Sequence, residues 1–99
     1  MDIKVIQEGQ KTIFAIVGRV DTITAPKLKE YTDSLIEQGV PDIEIDMTDC
    51  EFVSSAGLRV FATLRKHAVN GNTLVVRGVQ PGVMDVFELT GFNKILTFV

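Results

Sequence analysis

The chain has one cysteine and one histidine in 99 residues, and these shortages remove several chemistries at once. A lone thiol, Cys50, makes no internal disulfide, the usage expected of a reducing compartment. Its neighbours Asp49 and Glu51 add negative charge, whereas a reactive thiol needs cations nearby, so Cys50 reads as a structural residue. One His and one Cys offer no metal-ligand spacing. No glycine-rich phosphate loop is visible. No metal and no cofactor are therefore expected. Basic residues are also in short supply: 10 Lys and Arg face 13 Asp and Glu, for a net charge of −3. A nucleic-acid binder needs clustered cations to neutralise phosphates, so that class is set aside, as is a polybasic membrane patch. No apolar run reaches the roughly 18 residues of a membrane span, which argues against direct membrane insertion. Residues 1–10 alternate polar and apolar and lack a signal-peptide centre. The expected address is the cytoplasm. There is no repeat, low-complexity stretch or linker.

What is present suits one domain over residues 1–99. Hydrophobic residues make up 45% of the chain, enough for a real core. Residues 2–6 alternate, with Ile3 and Val5 on one face, and predict a strand. After a turn at Gly9-Gln10, Thr12 to Val17 is apolar enough to read as a strand buried on both faces. Thr24-Ala25-Pro26 is a helix start, because Pro needs no N–H in a first turn. Leu28, Tyr31 or Thr32, Leu35 and Ile36 follow at helical spacing, and Gly39 supplies the stop. Ile43, Ile45 and Met47 alternate with Glu44 and Asp46 as a third strand. A second helix starts at Ser54 or Ser55 and runs to a stop at about Asn70-Gly71. A strand over Thr73–Arg77, a helix from Pro81 to Gly91 and a last strand within Ile95–Val99 complete the pattern. The fold class is α/β, with helices packed on a mixed sheet of four or five strands.

The segment from Asp49 to Arg59 says most about function. At 100° per residue, Gly57, Val60, Phe61, Leu64 and Ala68 share the core side of the second helix, and Arg59, Lys66 and His67 fall towards solvent. Ser55, Leu58, Arg59 and Ala62 form a different stripe at the spacing used in helix-face recognition. That stripe is either a partner surface or, for Leu58, a contact with a neighbouring element. The serines have two readings as well. One is a helix N-cap, where a hydroxyl accepts a backbone N–H. The other is a phosphorylation site, since a helix start tolerates added negative charge. Serine hydrolysis is disfavoured. His67 lies about 18 Å along the same helix from Ser55, and the segment lacks the first Gly of a nucleophile elbow. Asp42, Glu44 and Asp46 line one side of a strand and read as a solvated face, with cation binding the less favoured alternative.

Three motifs in order give the chain a resemblance to the STAS domain family of bacterial anti-sigma factor antagonists. Asp49, Phe52, Ser55, Gly57 and Leu58 match the family's acidic, aromatic, Asp-Ser-Ser/Thr-Gly-Leu-Gly element. Gly18-Arg19-Val20-Asp21 with Thr24-Ala25-Pro26 matches a second element, and Val86-Phe87-Glu88-Leu89-Thr90-Gly91 a third. The chain departs from the pattern at Arg19 (Glu in the family), Ser54 (Asp), Ala56 (Ser or Thr) and Arg59 (Gly). The resemblance implies a regulatory protein, not an enzyme. It would bind an anti-sigma factor that is also an ATP-dependent serine kinase, releasing a sigma factor. Phosphorylation at Ser55 would weaken that binding and a serine phosphatase would restore it. The implied partner surface is Asp21, Ser54, Ser55, Ala56, Gly57, Leu58, Arg59 and Ala62. The alternative is an unphosphorylated STAS accessory subunit of a membrane transporter or signalling scaffold.

Overall fold

The strand running through the middle of the molecule is longer than its apolar run. It is β2, Lys11–Val20, and it pairs with three other strands. β1 (Asp2–Gln7) lies antiparallel to it, joined by the expected short turn. Its first half pairs in parallel with β3 (Asp42–Asp46), from Lys11 opposite Asp42 to Ala15 opposite Asp46. Its second half pairs in parallel with β4 (Cys50–Val53). β5 (Thr73–Arg77) and β6 (Thr97–Phe98) continue beyond β3, so the sheet order is β1-β2-β3-β5-β6 with β4 beside the end of β2. The computed structural model describes residues 1–69 and 71–99.

Among the described residues three α-helices follow the strands as the pattern predicts: α1 (Ala25–Glu37), α2 (Ser55–His67) and α3 (Pro81–Thr90). Pro26 and Pro81 sit in first turns, where no backbone N–H is missed. Gly91 closes α3 in the left-handed conformation. α2 ends at His67; of the expected Asn70-Gly71 stop, Asn70 lies outside the described residues.

Among the described residues the sheet is six-stranded, one strand more than the upper end of the expected range. The extra strand is β4, four residues that follow Asp49 and include Glu51. Its register with β2 shifts between Gly18 and Arg19, leaving Glu51 without an opposite residue. Gly18, at φ 96°, supplies the left-handed backbone needed there, and its N–H donates to the Asp49 carbonyl at 2.9 Å. β2 also corrects the expectation of two buried faces. Thr12, Phe14 and Ile16 are buried, while Ile13, Ala15 and Val17 are half-buried. Phe14 stacks edge-on against Tyr31 of α1 at 5.0 Å, which identifies the buried face as the helix side.

The core lies between that face and the helices. Phe14, Phe61, Phe87, Ile16, Leu28, Ile45, Met47 and Leu64 are its largest fully buried members. Cys50 is buried too, and burial pushes its thiol pKa up, so the thiolate that reacts is disfavoured. His67 departs from the expected solvent position. It is half-buried, and its Nε2–H donates to the Val40 carbonyl at 2.8 Å, tying the end of α2 to the segment before β3.

Candidate functional site

Two neighbouring parallel strands deliver two helix starts to one edge of the sheet. β2 ends at Val20 and feeds α1; β4 ends at Val53 and feeds α2. The Ser54 N–H donates to the Val20 carbonyl at 2.7 Å, so the two exits are joined. The carboxyl ends of parallel strands are where α/β folds place their binding groups.

The α2 start separates the two serines. Ser54 is the N-cap, in extended conformation, with its Oγ accepting the Gly57 N–H at 3.3 Å. Ser55 is the first helical residue and is exposed, its hydroxyl free of the capping role. We expect Ser54→Ala to cost about 1 kcal/mol of stability, the usual worth of a lost cap. Ser55→Ala should leave the urea midpoint unchanged. Equal effects of the two would contradict this division of roles.

The start of α1 is organised by Asp21. Its Oδ1 accepts the N–H of Ile23 and of Thr24, each at 3.0 Å, and lies 3.1 Å from the Thr24 hydroxyl. Thr24 Oγ1 in turn accepts the Asp21 N–H at 2.9 Å and donates to the Arg19 carbonyl at 2.8 Å. The backbone bond from Thr24 chiefly lowers the Asp21 pKa. Partial desolvation opposes it, while the Thr24 hydroxyl, the Ile23 N–H and the Arg19 charge add to the lowering. Asp46 is lowered similarly, by the hydroxyl and then the N–H of Thr48. A carboxylate that holds its proton less well when folded stabilises the fold above its unfolded pKa, near 3.8. That stability disappears as pH falls through the lower folded value. The denaturation midpoint should therefore drop on acidification through this range. Asp21→Asn, which keeps an accepting oxygen but not the titration, should flatten the drop.

The acidic side of β3 is engaged internally. Glu44 pairs with Arg77 at 3.2 Å and Lys11 at 3.8 Å, Asp42 accepts from the Thr73 hydroxyl at 2.7 Å, and Asp46 is folded onto Thr48. Among the described residues there is no cluster of three or more metal-ligating side chains.

The expected partner surface needs one clear correction. Leu58 is 8% exposed and belongs to the core, and Gly57 is buried with it. The stripe of Ser55, Leu58, Arg59 and Ala62 is therefore broken in the middle. The reason is the width of the buried arc. Gly57, Leu58, Val60, Phe61 and Leu64 together span roughly 160° of the helix at 100° per residue, with Leu58 at one margin. Opposite that arc stand Ser55 and Arg59, both exposed, and Ala62, half-buried. Ser54 and Ala56 are half-buried, as is Asp21.

What the structure adds is on the neighbouring turn. Ile23 is 87% exposed, held at the tip of the Asp21–Thr24 turn. A groove of about 410 Å³ runs between α1 and α2, lined among others by Ala25, Pro26, Ala56, Arg59, Val60 and Thr63. Sequence reading missed both. The one signal for them was an isoleucine directly after Asp-Thr in a segment too short for an element of its own. A larger groove of about 670 Å³ lies at the other end of β2, between Glu8–Gln10 and the last turns of α1, away from both helix starts. Arg19 is placed over the Phe52 ring, 4.4 Å from its centroid, across the β2–β4 pair.

The fold and this edge define a small α/β domain whose exposed groups gather at two adjoining helix starts, with the lone histidine engaged elsewhere. The chain belongs to the STAS domain family, whose model matches residues 2–99. A curated relative, the anti-sigma-B factor antagonist of Staphylococcus aureus, is 29% identical over 80 residues, covering 80% of this chain and 74% of its own. Two solved structures share the fold. An anti-sigma factor antagonist from Mycobacterium paratuberculosis superposes with a TM-score of 0.85 at 23% identity, covering 98% of this chain and 85% of that one. The Bacillus cell fate determinant SpoIIAA in its phosphorylated form gives a TM-score of 0.76 at 14% identity, covering 99% and 91%. No helix among the described residues is long and apolar enough to cross a membrane.

Proposed function

We propose that this chain is an anti-sigma factor antagonist of the cytoplasm, switched by phosphorylation at Ser55. The observation that carries the reading is the division between the two serines: Ser54 caps α2, which frees the exposed Ser55 hydroxyl at its first position. In the bare state the face made by Ser55, Arg59, Ile23 and the α1–α2 groove docks on the anti-sigma factor, which lets go of its sigma factor. That partner is itself a serine kinase. It transfers the γ-phosphoryl group of ATP to Ser55: a bond forms between Oγ and phosphorus, the β–γ bridging bond of ATP breaks, the hydroxyl proton leaves to a base on the kinase, and ADP departs. The phosphate adds about −1.5 to −2 charges beside the adjoining strand exit that carries Asp21, and binding weakens. A serine phosphatase hydrolyses the ester and restores the bare form. The helix start accepts the added charge without unfolding.

The test uses the anti-sigma kinase encoded by the same cell, with ATP and intact-mass measurement. One phosphate should be added to the wild type and none to Ser55→Ala. Ser55→Asp should bind the partner roughly ten- to a hundredfold more weakly than wild type, a like-charge cost of about 1.4–2.8 kcal/mol. Equal affinity of Ser55→Asp and wild type would overturn the switch. Binding without any phosphate transfer would favour the unphosphorylated accessory subunit instead.

A further inference from the structure

Arg59 stands one helical turn after Ser55, at the i,i+4 spacing that brings side chains together, and both are exposed. Lys29 and Asp33 on α1 line the same groove as Arg59. Lys29 and Asp33 are paired with each other. Arg19, on β2, is occupied over Phe52. Among the described residues Arg59 takes part in none of the ion pairs, which are Lys11–Glu44, Lys29–Asp33 and Arg77–Glu44. The first turn of α2 also holds no acidic residue to compete for it.

We infer that Arg59 is a built-in counter-charge for a phosphate on Ser55, folding back one turn to clamp it in cis; this rests on the reading of Ser55 as the modified residue. A guanidinium presents a planar fork of N–H donors that matches two phosphate oxygens, and it stays charged throughout the range in which the phosphate titrates. The clamp fixes the phosphate over the start of α2 and offsets part of its charge. It also withdraws Arg59 from the face that the bare form presents. Arg59 is thus a positioning residue whose effect is on the phosphate itself.

The test installs phosphoserine at position 55 during translation, so that it needs neither kinase nor partner. The second pKa of the phosphate, near 6 in a free phosphoserine, is then followed by phosphorus NMR. In the wild type it should lie about half a unit below that of Arg59→Gln, the size expected of an exposed charge pair. Arg59→Lys should recover part of the shift, and added salt should shrink the difference. The same second pKa in wild type, Arg59→Gln and Arg59→Lys would overturn the clamp. The outcome is independent of whether a kinase modifies Ser55 or whether phosphate weakens partner binding, so each proposal fails on its own measurement.

Discussion

Gly57→Ala is expected to destabilise the domain by about 1–3 kcal/mol, although alanine is the better helix former by about 1 kcal/mol. The added methyl would stand 2.7 Å from Val20 Cγ1 and 2.9 Å from Val53 Cγ1. Both valines are almost fully buried and stiff at χ1, so neither can swing its methyl aside as a long flexible side chain would. They are also the last residues of β2 and β4. Relief therefore comes from lifting the first turn of α2 off the two strand ends that position it, a movement that carries Ser54 and Ser55 along. Partner binding should fall by more than the loss of folded protein accounts for. Val20→Ala removes the nearer methyl, so the double variant should be more stable than the sum of the single effects predicts. Urea denaturation of the four proteins measures this. A Gly57→Ala protein as stable as wild type would show that this glycine is not what seats the helix.

The same close approach explains what sequence patterning could and could not reveal. Alternation in β1, β3 and β5 was legible because one face of each points at the helices, and α1 and α3 were legible from Pro26, Gly39, Pro81 and Gly91. β4 was not. It is a four-residue strand with a bulge, and its evidence lies in Gly18–Val20, some thirty residues earlier in the chain. Nothing local in Cys-Glu-Phe-Val distinguishes a strand from a loop. The site was legible as a place rather than as a list of contacts. The three motifs pointed to Asp21 and Ser55, and both lie on the joined edge. Patterning leaves Leu58 open between a partner surface and a packing contact because periodicity gives the direction of a helix's core face and not its width. That width depends on how closely the helix sits on the sheet, which Gly57 controls. The choice between Ser54 and Ser55 as cap was open for a similar reason: adjacent serines have equal propensity, and only the Ser54 N–H bond to Val20 decides which of them is outside the helix.

Phe61→Ala is expected to cost about 3–5 kcal/mol, more than either the lost cap at Ser54 or the overpacking at Gly57. Phe61 is fully buried and meets the ring of Phe87 edge-on at 5.5 Å; Phe87 in turn approaches Phe98 at 5.6 Å and Phe92 at 6.3 Å. This aromatic group joins α2 to α3 and to the short strand β6. β6 has only two residues and pairs with β5 alone, so it depends on that packing more than on its ladder. Against a total stability of roughly 5–15 kcal/mol for a small domain, the loss takes a fifth or more of the whole. For a chain of this length it lowers Tm by roughly 12–40 °C. Phe52→Ala is the control for residue type. Phe52 is half-buried, and its ring supports Arg19 rather than the core, so it should cost well under half as much. Phe61→Leu, which keeps most of the volume, should cost under about 1.5 kcal/mol. Calorimetry on the three variants decides the point. Similar losses for Phe61→Ala and Phe52→Ala would mean that the aromatic group does not hold α2 and α3 together, and α2 would then depend on Gly57 and its two valines for its place on the sheet.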